Sequence, residues 1–241
     1  GGEHIYTERA LGSRWSFVCT WALLFSYVNV CMFEAVALPS AVEYLFPDIR
    51  LGTLWNVLGS DVDLGFILIG IGATALVTWV NYLGIRTAAI LQAVVTGLIV
   101  ITGVLLISGA IAFGEASNAQ PWIATPVSGI LIVLIMVPSM LIGFDVIPQS
   151  AEEIDLPPNK IGRLLIFSVA CAVAWYIAIA MAVGFGLNTD ALATTKMATA
   201  DAASALWSSS WAGSLLVLGG IGGILTSWNA FIIGASRVLF A

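Results

Sequence analysis

The chain has 241 residues, 60% of them hydrophobic and only 9% charged, with a mean hydropathy of +1.03. A soluble domain carries about 25% charged residues, so an ordinary water-facing surface is excluded and most of this one must face lipid. A net charge of −6 also excludes a nucleic-acid partner, which would need clustered Lys and Arg against phosphate.

A bilayer core about 30 Å thick takes about 20 apolar residues of helix, and six such runs follow one another along the chain. They span Trp15 to Phe46, Leu64 to Leu83, Thr87 to Phe113, Val127 to Gln149, Leu164 to Leu187, and Trp211 to the C-terminus. Each is far longer than a strand of a membrane barrel, so the predicted class is an all-α membrane protein with about six transmembrane helices. Ahead of the first run, Gly1-Gly2-Glu3-His4 has no initiator Met, basic segment or cleavage site, and reads as the interior of a longer protein rather than a signal peptide. Cys19, Cys31 and Cys171 lie in apolar runs without CxxC spacing and are expected as buried structural thiols. The single His4 is too isolated for a metal cluster.

In the first run Ser26, Asn29 and Phe33 share a helical stripe that would line a pathway. Glu34 lies about 28 Å along the helix from the run's start, at about 1.5 Å per residue. It is expected near the outer face, as a vestibule charge or a snorkelling surface charge. Short polar segments separate the runs: residues 47–50 and 60–63, the Asn81 to Arg86 turn, Gly114 to Thr125, Ser150 to Arg163, and Asn188 to Ser210, the last long enough for a short surface helix. Gln92 and Thr96 in the third run form an i,i+4 pair suited to packing. Pro126 after Thr125 reads as the first helical position after an N-cap.

The fourth run is the informative one. It contains Pro138, then Ile142-Gly143-Phe144-Asp145, then Pro148. A carboxylate at the centre of a membrane helix costs about 2.5 to 3.5 kcal/mol on insertion scales, and the neighbouring glycine and prolines weaken the helix there. A break near Gly143 would present half-helix ends to a substrate's charged groups or to an ion. The structural alternative is a Pro/Gly kink with Asp145 salt-bridged or snorkelling. The Glu152 and Glu153 pair that follows reads as a cytoplasmic structural motif rather than an acid/base pair.

In the sixth run Gly219xxxGly223 suits close helix packing, and Thr226, Ser227, Trp228 and Asn229 form a stretch too polar to face lipid. The oxygens of Thr226, Ser227 and Asn229 suit a hard cation, and interhelical hydrogen bonding is the equal alternative. Trp15, Trp55, Trp122, Trp207 and Trp211 sit near run ends, where aromatic belts belong. With six crossings, Arg9, Arg14, Arg86, Lys160, Arg163 and Arg237 share one face, and Arg50 and Lys196 lie on the other. Six against two places the first face, with both termini, in the cytoplasm.

Gly143-Phe144-Asp145, Glu152-Glu153 and the Pro157 to Arg163 loop resemble the sixth membrane helix of the amino acid–polyamine–organocation (APC) superfamily of permeases. The Gly1 to Gly12 segment is similar to that family's join between its second and third helices, and Asn81-x-x-Gly84 to the join of its fourth and fifth. Leu225 to Asn229, running into Ser236-Arg237, is similar to its eighth helix. The resemblance implies family helices three to eight of a ten-to-twelve-helix, leucine-transporter-like fold of two inverted repeats. Residues 1–113 would continue the first repeat and 126–241 would begin the second.

It also implies secondary active transport of amino acids or related amines by alternating access, in a multi-pass protein of the plasma membrane, inactive without its missing helices. Ile142, Gly143, Phe144, Asn29 and Trp228 would then contact substrate, Trp228 either as a gate or as core packing. Asp145 would be the proton-responsive group, with Thr226, Ser227 and Asn229 as further coupling candidates. Arg163 and Arg237 would join Glu152 and Glu153 in the cytoplasmic motif. No cofactor is implied beyond coupling H⁺ or Na⁺. Where many members carry an aromatic gate four residues before the glycine, this chain has Ser139, and its third run lacks the lysine that some proton-coupled relatives place there.

The rival reading is a structural or assembly membrane module. An intramembrane enzyme lacks the paired Asp, Ser-His or His-rich cluster it would need, and a channel lacks a repeated filter sequence.

Overall fold

A computed structural model describes residues 2–57, 59–122, 128–149 and 157–240. Helix α1 (Glu3–Leu11) precedes α2 (Ser13–Leu45), followed by a 3-10 turn at Pro47–Ile49 and a two-stranded antiparallel hairpin, β1 (Thr53–Val57) and β2 (Ser60–Asp63). Then come α3 (Leu64–Tyr82), α4 (Ile85–Phe113), α5 (Ser128–Met140), α6 (Val146–Gln149), α7 (Pro158–Gly186), α8 (Thr189–Thr194), α9 (Ala198–Leu206) and α10 (Ser210–Phe240). Among the described residues, five helices, α2, α3, α4, α7 and α10, are long and apolar enough to cross a membrane, and the fourth of the six expected runs instead holds the shorter apolar helix α5.

The helix limits follow local chemistry. Gly12, at φ +86°, closes α1 by donating its N–H to the Glu8 carbonyl and lets α2 start at once. Gly84, at φ +114°, does the same work in the two-residue turn between α3 and α4. The Asn188 side chain accepts from the Ala191 N–H at 2.9 Å and starts α8.

Residues 3–11, expected as the join ahead of the first run, form a helix flanked by Gly2 and Gly12. Two expectations are corrected. Residues 53–63 form a hairpin where only polar punctuation was expected, since Trp55, Val57 and Val62 supply a strand pattern that short polar flanks obscure. The cysteines are not buried: Cys19 and Cys31 are half-buried and Cys171 is exposed, as a small apolar side chain can be in lipid.

Two compact units emerge from the packing. The first comprises Gly1–Leu98, Asp145–Ile161 and Gly220–Ala241; the second comprises Ile99–Phe144 and Gly162–Gly219. Each unit is assembled from segments distant in sequence.

In the second unit, small residues let helices close on one another. A Cβ on Gly219 would fall 2.1 Å from Thr102 Oγ1, one on Gly103 2.2 Å from the Trp175 ring, and one on Gly109 2.5 Å from Trp207 Nε1. Trp207 is not a free belt residue: its indole N–H donates to the Leu105 carbonyl at 3.2 Å and its ring meets Phe113 edge-on. In the first unit, the same device brings Gly222 against Val95, where a Cβ would fall 2.5 Å from Val95 Cγ1. Thr125, Pro126 and Val127 lie outside the described residues.

Candidate functional site

The site is built on the buried stripe of α2. Ser16, Tyr27, Glu34, Leu38 and Ala41 recur at near-helical period and are all buried. The stripe expected to line a pathway is a different one: Asn29 and Phe33 are exposed, and the Asn29 amide is satisfied by the Phe25 carbonyl of its own helix at 2.8 Å. That local bond removes any need for Asn29 to turn inward. Each polar member of the inward stripe instead meets a partner from another element.

At the α1 end, Ser16 donates to the His4 carbonyl at 2.9 Å, and the His4 ring nitrogen Nδ1 lies 2.8 Å from Thr20 Oγ1. Next, Tyr27, only 1% exposed, donates its hydroxyl to Asp145 Oδ2. The Tyr27 ring packs on Phe231 of α10 at 5.5 Å between centroids. Gly234 makes room for this contact, since a Cβ there would lie 3.1 Å from Tyr27 and 3.2 Å from Val146. Two turns further along α2, Glu34 is 7% exposed and bonded to the Ser227 hydroxyl. Glu34 is therefore a buried carboxylate held from α10, and the snorkelling surface charge offered as one reading of its place along the helix is corrected. Its partner lies 193 residues away by number (227 − 34) and is invisible to a count along one helix.

Asp145 follows directly on a real break. Helix α5 ends at Met140, residues 141–145 form turns with Gly143 at φ +113°, and α6 starts at Val146. That φ is one an L side chain rarely adopts, so the glycine is required. Ile142 and Phe144 flank it and are exposed. Four residues beyond Asp145, Gln149 is buried and donates its amide to the Glu3 carboxylate. Gly2, at φ +81°, permits this, because a Cβ there would lie 2.6 Å from the Gln149 side chain. Burial pushes the Glu3 carboxyl above the ordinary carboxylate range, and the negative charge of Asp145 adds to the shift.

The polar stretch of α10 points several ways rather than converging on one centre. Thr226 donates to the Gly223 carbonyl at 2.9 Å, and Ser227 bonds Glu34. Asn229 accepts from the Asn81 amide at 2.8 Å and donates to Gln92 at 3.1 Å, tying α10 to α3 and α4. Gln92 thus acts across helices. Trp228 is 2% exposed and lines a cleft of about 430 Å³ with Val28, Cys31, Met32, Thr74 and Ile232. Arg163 and Arg237 are exposed near the start of α7 and the end of α10. Glu152 and Glu153 lie outside the described residues. Sequence reasoning missed Tyr27, Glu3 and Gln149, although an aromatic hydroxyl one stripe position from Ser16 was a signal available in the spacing.

A helical membrane protein with an interrupted helix and a carboxylate at the interruption defines a class that the comparisons make specific. The sequence model of one family, described as amino acid permease, matches residues 1–241, and the chain belongs to that family. No curated protein matches it. Amino acid permeases are transporters, and the family and the apolar helices together make this a multi-pass membrane protein of a transporter family.

Proposed function

We propose that this permease moves an amino acid or a related amine by alternating access, with proton binding at Asp145 coupled to the movement. One observation carries the reading: the helix is interrupted at residues 141–145 and the acid at the end of that interruption is held by the buried Tyr27 hydroxyl. The C-terminal end of α5 directs main-chain carbonyls toward Ile142, Gly143 and Phe144, and the negative end of a helix favours an ammonium group. Amino acids and amines share that group. The hydroxyl of Tyr27 ties Asp145 to the packing of the Tyr27 ring on Phe231, so a change at the acid reaches α10.

Proton coupling accounts for these contacts better than sodium, because the oxygens of Thr226, Ser227 and Asn229 serve three different partners. The charge asymmetry supports an orientation with Arg9, Arg14, Arg86, Lys160, Arg163 and Arg237 on the cytoplasmic side of the plasma membrane.

The test is uptake of radiolabelled amino acids into proteoliposomes by the intact permease and its Asp145→Asn variant across a pH series. The variant should lose the pH dependence of uptake while still binding substrate. An unchanged pH profile would remove Asp145 from the coupling mechanism.

A further inference from the structure

The hairpin between α2 and α3 has two chemically distinct faces. Its register pairs Trp55 with Val62, Asn56 with Asp61 and Val57 with Ser60. Residues paired across an antiparallel ladder share a face, and neighbours along a strand alternate. Trp55, Val57 and Val62 therefore lie together on one side with Ser60, and Asn56 and Asp61 on the other. The register shift between Thr53 and Trp55 leaves Leu54 as the extra residue that re-aims the strand.

The polar side is internally bonded. Asn56 donates to Asp61 at 2.9 Å, and Thr53 donates to the buried Asp63 at 3.1 Å. The base is clamped to both helices: Arg50 pairs with Glu43 of α2 at 2.6 Å and with Asp63 at 2.8 Å, and stacks over the Phe66 ring of α3 at 5.1 Å. The Leu64 N–H donates to the Gly52 carbonyl, and Gly65 lets the Ile49 carbonyl approach to where a side chain would collide. On the apolar side, Trp55 is 52% exposed, Val57 is exposed and Val62 is half-buried, and no hydrogen bond or ion pair of that kind covers them among the described residues.

We propose that the Thr53–Asp63 hairpin docks on the bilayer surface, its Trp55–Val57–Val62 face set into the interfacial layer of the lipid. The clamp holds the hairpin at the ends of two membrane-spanning helices, so its base is continuous with the lipid-facing surface of the protein. Tryptophan is the side chain enriched at that depth. A lone two-stranded hairpin is marginal in water and needs a surface to lie on. This face holds only three apolar side chains beside Ser60, whereas a specific protein interface needs roughly 1,000 Å² or more. Lipid is the partner that fits. The hairpin would then fix the depth at which α2 and α3 cross.

The test uses the intact permease in phosphatidylcholine–phosphatidylglycerol vesicles, in a background where Cys19, Cys31 and Cys171 are replaced by alanine. Nitroxide labels are placed singly through Trp55→Cys, Asn56→Cys, Val57→Cys and Asp61→Cys. Oxygen, which concentrates in lipid, should relax labels at 55 and 57 several-fold more than a water-soluble nickel complex does, with the order reversed at 56 and 61. Nickel access at all four positions would mean that the hairpin stands in water. Exclusion of both reagents at 55 and 57 would mean that protein covers the face; either result overturns the proposal. Native tryptophan provides a second measurement that needs no label. Trp55→Phe should remove a component of fluorescence quenched by lipids brominated near the headgroup, and an unchanged quenching curve would count against docking.

Discussion

Helices α7 and α10 are both long enough to span a membrane, yet they differ sharply in burial. In α10, 44% of the most apolar stretch is buried, and in α7 none of it is, although α7 is the more apolar of the two. In water the more apolar helix would be the inner one. In lipid the rule weakens, because hydrocarbon tails compete equally for apolar side chains, and helices associate through small residues and hydrogen bonds. The inner helix is accordingly the one carrying Gly219, Gly222, Thr226, Ser227 and Asn229, while exposed Ile166 and Phe167 face outward from α7. In this protein, polarity and smallness mark the interior better than hydrophobicity does.

The sharpest way to break that contrast is a matched pair of truncations. Trp228→Ala removes a buried ring from α10 and should lower stability by about 3 to 5 kcal/mol. Phe167→Ala removes an exposed ring from α7 and should change it by no more than about 0.5 kcal/mol. Thermal unfolding in mild detergent compares them directly. Equal losses would show that α7 is also an interior helix.

A smaller effect tests whether polar contacts help to hold α10. Asn229→Leu deletes its bonds to Asn81 and Gln92, each worth about 0.6 kcal/mol in a membrane interior. A loss of about 1 to 2 kcal/mol is expected, since the half-buried Asn81 and Gln92 groups are left with fewer partners. Gain of stability in the variant would assign Asn229 to function rather than packing.

The weakest effect is a pH dependence at the end of α1. The Glu3 carboxyl titrates above its unfolded value because burial disfavours its charge. The folded state therefore holds this proton more tightly than the unfolded state. The stabilisation it confers is complete below the ordinary carboxylate range and is lost as pH rises through the folded value. Unfolding midpoints should thus show a downward component just above that range, and Glu3→Gln should flatten it. A slope that survives the substitution would place the titration elsewhere.

Much of the architecture was legible in order along the chain. Residues 64–83 were expected as one run and α3 spans Leu64–Tyr82; the run ending at Phe113 ends there in α4. The break near Gly143 followed from Pro138, Gly143, Asp145 and Pro148 standing together in an apolar run, because proline and glycine act on their own backbone whatever surrounds them. Side-chain direction was much less legible. A helix apolar on every side has no strong periodic signal to say which face is inward, so the stripe through Asn29 was preferred to the one through Tyr27 and Glu34.

The sequence by itself determined what is local or compositional: the lipid environment, the approximate ends of the long apolar helices, the interruption at Gly143 and the membership of a permease family. The tertiary structure alone decided which polar groups meet. Tyr27 and Asp145 are 118 residues apart, Glu3 and Gln149 are 146 apart, and Asn81 and Asn229 are 148 apart. Within one helix such a group looks like an unpaired polar side chain in hydrocarbon. The cost of leaving it unpaired drives it to a partner, but sequence spacing cannot say which one, because the choice depends on which helix faces come into contact.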